Sequence, residues 1–96
     1  QIPYRDIVYM ESRRRVIHLF GRNGEEYRFY KKMKDLLEEI SHTGNMFIRV
    51  HCSYVVNYYY IKSLSSTEVE LLTGEKLPVS GEYKNEALKK FMGMME

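Results

Sequence analysis

The fold is decided by Phe47-Ile48-Arg49-Val50-His51-Cys52-Ser53-Tyr54-Val55-Val56-Asn57, a stretch that sets polar side chains among apolar ones at irregular spacing. Its first part, Phe47 to Val50, alternates apolar and polar residues, which predicts a half-buried β-strand. The polar residues His51 to Ser53 interrupt the alternation before Val55 and Val56 resume it. Three short polar side chains at the end of a strand indicate an exposed corner.

Other predicted strands surround this stretch. Two β-branched and aromatic runs, Arg15–Phe20 and Glu26–Tyr30, flank Arg22-Asn23-Gly24-Glu25, and Asn-Gly is the strongest short-range signal for a hairpin. Three short downstream strands separated by Ser, Thr and Gly residues predict a meander: Tyr60–Leu64, Glu68–Leu72 and Lys76–Val79. Pro78 has no N–H to donate, so its strand lies at an edge or ends there.

Two segments have the spacing of amphipathic helices. The first covers about residues 32 to 42, and Gly44 stands where its C-terminal stop is expected. Its shared apolar face consists of Met33, Leu36, Leu37 and Ile40. The second lies at the C terminus, with Glu82 near its start and Lys89-Lys90 near its end, an order that suits the helix dipole. Its shared apolar residues are Ala87, Leu88, Phe91 and Met95.

Length and composition indicate one module. The chain has 96 residues and 44% hydrophobic content, enough for a single modest core. Many strands and only two helices, without β-helix-β repetition, predict a mainly β, antiparallel domain rather than a parallel doubly wound sheet. The first residues lack an initiator Met and a leader, and no apolar run approaches the roughly 18 residues of a membrane span, so we expect a cytoplasmic domain cut from a longer protein. One cysteine cannot form an internal disulfide.

The charge is mild in total but uneven in distribution. A formal net charge of +2 does not by itself imply nucleic acid. Arg13-Arg14-Arg15 and Lys31-Lys32-Met33-Lys34 form dense basic clusters, while acids gather in Glu38-Glu39 and from Glu68 to Glu75. This separation permits a basic face, and the alternative is simply solvated surface.

The sequence offers little for catalysis or metal binding. His51 and Cys52 are adjacent, and adjacent residues on an extended strand point to opposite faces, so they are not expected to pair as base and nucleophile. Cys52, His51, His42 and His18 lack the spacing of a zinc site. The glycines lie at turns rather than in a phosphate-binding loop. We therefore expect no enzyme activity, no cofactor and no metal.

The ordered elements resemble the LytTR family, the DNA-binding output domains of many bacterial response regulators. The resemblance includes the Phe47 to Asn57 stretch, Asp6-Ile7-Val8-Tyr9-Met10-Glu11-Ser12 upstream and Leu77-Pro78-Val79-Ser80 downstream, in matching order and spacing over nearly the whole chain. It implies a single LytTR-like domain over residues 1–96. The implied fold is mainly β, an elongated stack of small antiparallel sheets with one short amphipathic helix packed alongside and a C-terminal helix.

The resemblance also implies how such a domain meets DNA. The family inserts loops, rather than a recognition helix, into successive major grooves of double-stranded DNA, with backbone contacts between them. The first contact segment is then Arg13-Arg14-Arg15, since arginine bonds guanine bidentately or pairs with phosphate. Arg13 or Arg14 is expected to reach a base edge and Arg15 the backbone. The alternative is a solvated turn without a partner.

The second implied segment is the corner of His51, Cys52 and Ser53. Ser53 is expected to donate to a phosphate, and His51 to orient the corner or meet the DNA backbone; the alternative for His51 is a structural histidine bonded to the protein backbone. Cys52 occupies a position that usually faces the bases, where the family has Arg, Lys or Asn and where a thiol is only a weak donor. Asn57 is expected to cap the turn into Tyr58.

The third implied segment runs from Val79 to Lys84. Ser80 is a candidate N-cap of the last helix, whose N-terminus suits phosphate. The family has a base-reading arginine directly after this serine, whereas this chain has Gly81, a difference that removes about 1 to 3 kcal/mol of discrimination at one base pair. Lys84 restores attraction without the fork geometry of arginine.

The resemblance implies sequence-specific DNA binding in a bacterial transcriptional regulator of the two-component type. A receiver domain is usually fused to the family, and direct-repeat promoter sites imply two copies on DNA, although the isolated domain is expected to be monomeric. Cys52, Gly81 and the small net charge support an alternative, a protein-interaction module of the same fold with weakened DNA affinity.

Overall fold

Strands dominate the architecture. A computed structural model describes residues 2–95, so Gln1 and Glu96 of the expected 1–96 domain lie outside the described residues. The elements in chain order are β1 (Ile7–Arg13), β2 (Val16–Gly21), β3 (Glu26–Tyr30), α1 (Met33–Glu39), β4 (Phe47–His51), β5 (Tyr54–Asn57), β6 (Ile61–Leu64), β7 (Glu68–Leu71), β8 (Lys76–Pro78) and α2 (Lys84–Met94). They form a five-stranded sheet in the order β3-β2-β1-β5-β4 and a three-stranded sheet in the order β6-β7-β8, both antiparallel. The expected mainly β fold is confirmed.

Local turn signals placed the hairpin and the meander correctly. β2 pairs with β3 across the Asn23-Gly24 turn, where Gly24 has a φ of +86° that few other residues adopt easily. β6, β7 and β8 form the meander, and Pro78 ends β8 at the edge of its sheet. The prediction for Asn57 is also confirmed, because its Oδ1 accepts from the Tyr59 N–H and caps a 3₁₀ turn at Tyr58–Tyr60.

The five-stranded sheet is buried on both faces at β4 and β5, so the prediction that Phe47 to Val50 form a half-buried strand is wrong. Phe47 belongs to a cluster under α1, together with Leu36 and Ile40. Ile48 belongs to the cluster on the other face, where the three-stranded sheet and α2 supply Val69, Leu71, Leu77 and Ala87. The consecutive apolar pair at 47 and 48 is explained by this two-sided cover.

The predicted first helix is shorter than expected. Instead of one helix over about residues 32 to 42, α1 ends at Glu39 and a 3₁₀ turn follows at Ser41–Thr43. The hydroxyls of Ser41 and Thr43 donate to the carbonyls of Glu38 and Ile40, and such side-chain bonds compete with a regular helix. The predicted apolar face is confirmed, and Gly44, at a φ of +69°, ends the segment as predicted.

The C-terminal helix confirms two of the four residues of its predicted face, because Leu88 and Met95 do not belong to the buried cluster. Ala87 is fully buried and Phe91 packs against the same cluster. Met95 was predicted to share this face, but it is 66% exposed because α2 ends at Met94.

The elongation expected for the sheet stack is slight. The molecule measures 31 × 26 × 25 Å, because the three-stranded sheet packs onto one face of the five-stranded sheet instead of extending it. In the part of the chain that the structure describes, neither helix has the length and apolar character needed to cross a membrane.

Candidate nucleic-acid interface

The three segments singled out in the sequence meet at one end of the five-stranded sheet. β1 and β5 run antiparallel, and the Ser12 N–H beyond their last paired residues donates to the Ser53 carbonyl at 2.9 Å. The Ser80 N–H donates to the carbonyl of Val50, next to the β4–β5 turn, also at 2.9 Å. We call this end, formed by residues 13–15, 51–53 and 80–84, the candidate interface.

Arg14 and Arg15 form the two-residue turn between β1 and β2. Their φ angles are +50° and +67°, in the left-handed region that hairpin turns of this length usually fill with Asn and Gly. For side chains with a Cβ this conformation costs about 1 kcal/mol or more per residue. Both side chains are exposed and, within residues 2–95, neither forms an ion pair. Strained backbone that presents unpaired cations is typical of a functional loop.

Arg13 differs from its two neighbours because a carboxylate holds it. Its Nη2 lies 2.8 Å from Oε1 of Glu11, and the Tyr54 hydroxyl donates to Oε2 of Glu11 at 3.2 Å. The hydrogen bond and the charge of Arg13, followed by the hydrogen bond from Tyr54, hold the pKa of the Glu11 carboxyl below its usual value. Glu11 therefore engages one N–H group of Arg13, whereas the side chains of Arg14 and Arg15 have no such partner among the residues that the structure describes.

The second basic cluster begins beside the arginine turn. The Lys31 N–H donates to the Arg15 carbonyl at 3.0 Å. Lys31 itself pairs with Glu39, whereas Lys32 and Lys34 are exposed. The two basic runs of the sequence thus lie at the same end of the molecule.

His51 orients the second segment through a backbone bond. Its Nδ1 accepts from the Ser53 N–H at 3.1 Å, which is the structural interpretation left open by the sequence. With Nδ1 as acceptor, the proton of the neutral ring lies on Nε2, which remains a donor for a further partner.

The expected separation of His51 and Cys52 is wrong. Cys52 is the first residue of the β4–β5 turn rather than a strand residue, and its Sγ lies 3.5 Å from Nδ1 of His51. That nitrogen is already bonded to the Ser53 N–H, so it is not a free base for the thiol. Cys52 is exposed at the tip of the turn, and its neighbour Ser53 is half-buried.

Ser80 is not the N-cap of the last helix. The N-cap is Tyr83, which makes no side-chain cap bond, and the Ser80 Oγ is buried without a hydrogen-bond partner among the described residues. The Ser80 carbonyl instead accepts from the N–H groups of Tyr83 and Lys84, at 3.1 and 3.0 Å. Gly81 and Glu82 are exposed, and their N–H groups donate to no acceptor in the described part of the chain. The free donors before α2 are therefore backbone groups.

Arg49 contacts two segments of the candidate interface, and the sequence did not reveal this role. Its Nε donates to the His51 carbonyl at 3.2 Å and its Nη2 to the Cys52 carbonyl at 2.9 Å. Its guanidinium also lies 4.4 Å from the ring centroid of Tyr83. The only signal in the sequence was a polar residue between Ile48 and Val50, which is equally typical of a solvent-facing strand position.

Metal chemistry finds no support in this geometry. Over residues 2–95, no three His, Cys, Asp or Glu side chains come together as ligands would. The cations, hydroxyls and free backbone N–H groups at the candidate interface are instead the groups that bind phosphate oxygens and base edges.

Comparisons with known proteins agree with this chemistry. A sequence model of the LytTr DNA-binding domain matches residues 1–92. A solved structure described as the LytTr DNA-binding domain of a methyl-accepting/DNA response regulator from Bacillus cereus matches with a TM-score of 0.77 at 23% identity, over 96% of this chain and 85% of that chain. At that identity the likeness shows the fold alone. No curated protein matches the chain.

Proposed function

Because the chain belongs to the LytTR family of DNA-binding domains, we propose that it binds double-stranded DNA sequence-specifically as the output domain of a bacterial transcriptional regulator in the cytoplasm. The observation that carries the proposal is the meeting of three donor-rich segments at one end of the sheet. We propose no catalytic activity for it.

The arginine turn supplies the first contacts in this proposal. Arg14 projects from the tip of the turn and reaches a base edge, while Arg15 pairs with phosphate. Arg13 joins them after leaving Glu11, from which it is now 2.8 Å away. Arg13 then exchanges the carboxylate of Glu11 for a phosphate of the DNA. Because the guanidinium stays paired with an anion, the free-energy cost of this exchange is modest.

The other two segments supply contacts to the backbone and one variable position. Ser53 and Nε2 of His51 donate to phosphates, and Cys52 faces a base as an apolar surface, for example toward a thymine methyl. Before α2, the free N–H groups of Gly81 and Glu82 bind a phosphate, and the positive charge of Lys84 adds to the attraction. The buried Ser80 hydroxyl contributes only if its side chain rotates.

The assembly in the cell follows from the family. We propose that two copies occupy direct repeats in a promoter and that a receiver domain in the full-length protein controls their association. The isolated domain is monomeric in this proposal, so that pairing occurs on DNA.

Salt dependence tests the proposal directly. Phosphate neutralisation by about five basic or donor groups predicts a slope of about −4 to −5 for log affinity against log salt. Fluorescence anisotropy of labelled duplexes measures it, and selection from a random duplex pool is expected to enrich a repeat. Absent or salt-insensitive binding contradicts the proposal.

A protein-interaction module with weakened DNA affinity is the second candidate. It is favoured by Cys52 and Gly81, which replace two side chains that read bases in the family. Capture of a specific protein partner, together with no DNA shift at low salt, would support it over DNA binding.

A further inference from the structure

We infer that Arg49 is a positioning residue that holds the His51–Ser53 corner and the Ser80–Lys84 segment in one fixed geometry for DNA. The inference rests on the proposed function, because it concerns how two of the proposed contact segments are kept in register. It assigns a role to a residue of β4 that lies outside the three contact segments.

The edge of the guanidinium holds the corner. Nε and Nη2 of Arg49 donate to the carbonyls of His51 and Cys52, the last strand residue and the first turn residue. Two adjacent N–H groups of one planar fork thus bind two consecutive carbonyls. Hydrogen bonds from a charged donor are stronger than neutral ones, so they resist reorientation of the turn.

The same guanidinium contacts the other segment. Its central carbon lies over the ring of Tyr83, the residue directly before α2, at 4.4 Å from the ring centroid. An ammonium group also attracts an aromatic ring, but it is a point charge without the planar fork that bonds two carbonyls at once. Lysine therefore cannot hold both segments in the same way.

The consequence concerns the spacing of donors. Ser53 lies directly after the clamped carbonyls, and the free N–H groups of Gly81 and Glu82 lie directly before Tyr83. If the two segments shift relative to each other, Ser53 and the N–H groups of Gly81 and Glu82 can no longer reach their phosphates at the same time. A supporting residue that prevents the shift raises affinity without touching DNA.

Affinity measurements distinguish positioning from direct contact. Arg49→Lys and Arg49→Gln are both expected to weaken binding to a selected duplex about tenfold, the loss of one charge-assisted interaction. Neither substitution is expected to change the salt slope by about 0.9, which is the contribution of one phosphate contact. If Arg49 instead pairs with phosphate, Arg49→Lys retains affinity and Arg49→Gln lowers the slope by about 0.9, and that result overturns the inference. Lys90→Gln is the matched control, because Arg49 and Lys90 line one cleft of about 400 Å³. This variant is expected to bind the duplex as the wild type does.

A measurement on the free domain keeps the inference testable without DNA. In Arg49→Lys, the amide resonances of Ser53 and of Lys84 are both expected to shift, while thermal unfolding remains cooperative. Tyr83→Leu is expected to shift the resonances of His51 and Cys52, and Tyr83→Phe to leave them in place. Shifts confined to residues 51–53 in Arg49→Lys overturn the inference. If the wild-type domain binds no duplex, the proposed function fails and the resonances still decide whether Arg49 joins the two segments.

Discussion

The N–H of Ser12 donates to the carbonyl oxygen of Ser53 at 2.9 Å. This bond joins the strand before the Arg14-Arg15 turn to the His51–Ser53 corner. It continues the pairing of β1 with β5 by one position, from Glu11 and Tyr54 to Ser12 and the turn residue Ser53. The two turns therefore share one support and keep their separation. Substitutions within the turns can change the contacts while the sheet beneath them is unaltered.

Because the Arg14-Arg15 turn is strained, substitutions that relax it are expected to raise the stability of the domain and to weaken DNA binding. Replacing Arg14 by Asn and Arg15 by Gly fits the residues to positive φ, so the free energy of unfolding is expected to rise by about 1 kcal/mol or more. The same double variant loses two cations, so DNA binding weakens and the salt slope falls by nearly 2. Urea unfolding and anisotropy measure the two effects.

The control for this variant is Arg22→Asn. Arg22 lies in the β2–β3 turn at the opposite end of the sheet, where its loss is expected to leave DNA affinity nearly unchanged. If Arg22→Asn, which removes one cation, weakened binding half as much in free energy as the double variant, which removes two, only overall charge would matter. Unchanged stability of the double variant would mean that the turn is not strained.

Placing an arginine at position 81 is expected to strengthen DNA binding and to increase its sequence specificity. A Cβ built at Gly81 meets no atom within 4 Å, and its φ is not in the left-handed region, so a side chain fits without strain. Gly81→Arg is predicted to add about 1 to 3 kcal/mol of discrimination at one base pair, measured by competition between duplexes that differ at that pair. Gly81→Lys tests the fork geometry, because it adds the charge alone. If both variants gain equally at every sequence, residue 81 does not read a base.

Cys52 provides a chemical probe of the interface. Its thiol is exposed at the tip of the β4–β5 turn and is the single cysteine of the chain, so iodoacetamide modifies one known site. Saturating DNA is expected to slow the modification, followed by mass spectrometry, and prior modification is expected to weaken binding because a bulky group then lies between turn and groove. Cys52→Ser removes the site and serves as the control. Modification at the same rate with and without bound DNA would place the corner outside the contact.

The Glu11 carboxyl predicts a pH dependence of stability. Its pKa in the folded state is lowered from 4.5, chiefly by the Arg13 hydrogen bond, so the unfolded chain takes up the proton first as the pH falls. The stabilisation is therefore complete above the unfolded pKa and is lost as the pH falls through the folded pKa. Glu11→Gln is expected to flatten the acid limb of thermal stability, and Tyr54→Phe to flatten it less. An acid limb unchanged by Glu11→Gln would contradict the ion pair.

The turns and faces of the fold were open to prediction because their signals are local. Asn23-Gly24 fixed a hairpin, and the spacing of Leu36 and Ile40 fixed the buried face of α1. Alternation along Phe47 to Val50 was misleading, since it does not reveal that a second layer covers the other face of the sheet.

The residues that hold the candidate interface in place were harder to predict than the exposed residues that form it. Residues 13–15 and 51–53 stand out as polar runs, but the pairing of Arg49 with Tyr83 joins residues far apart in sequence and depends on how α2 meets β4. The burial of the Ser80 hydroxyl was likewise not predicted. Nothing local in the sequence encodes such contacts.

The burial of β4 and β5 on both faces determines how rarely the backbone next to the interface opens. Ile48, Val55 and Val56 are completely buried, so their amides are expected to exchange with solvent only when the whole domain unfolds. The turns that carry the candidate contacts begin within a few residues of this slowest-exchanging region. A duplex then meets a surface that is already ordered, and its sequence is discriminated mainly by how long it stays rather than by how fast it arrives.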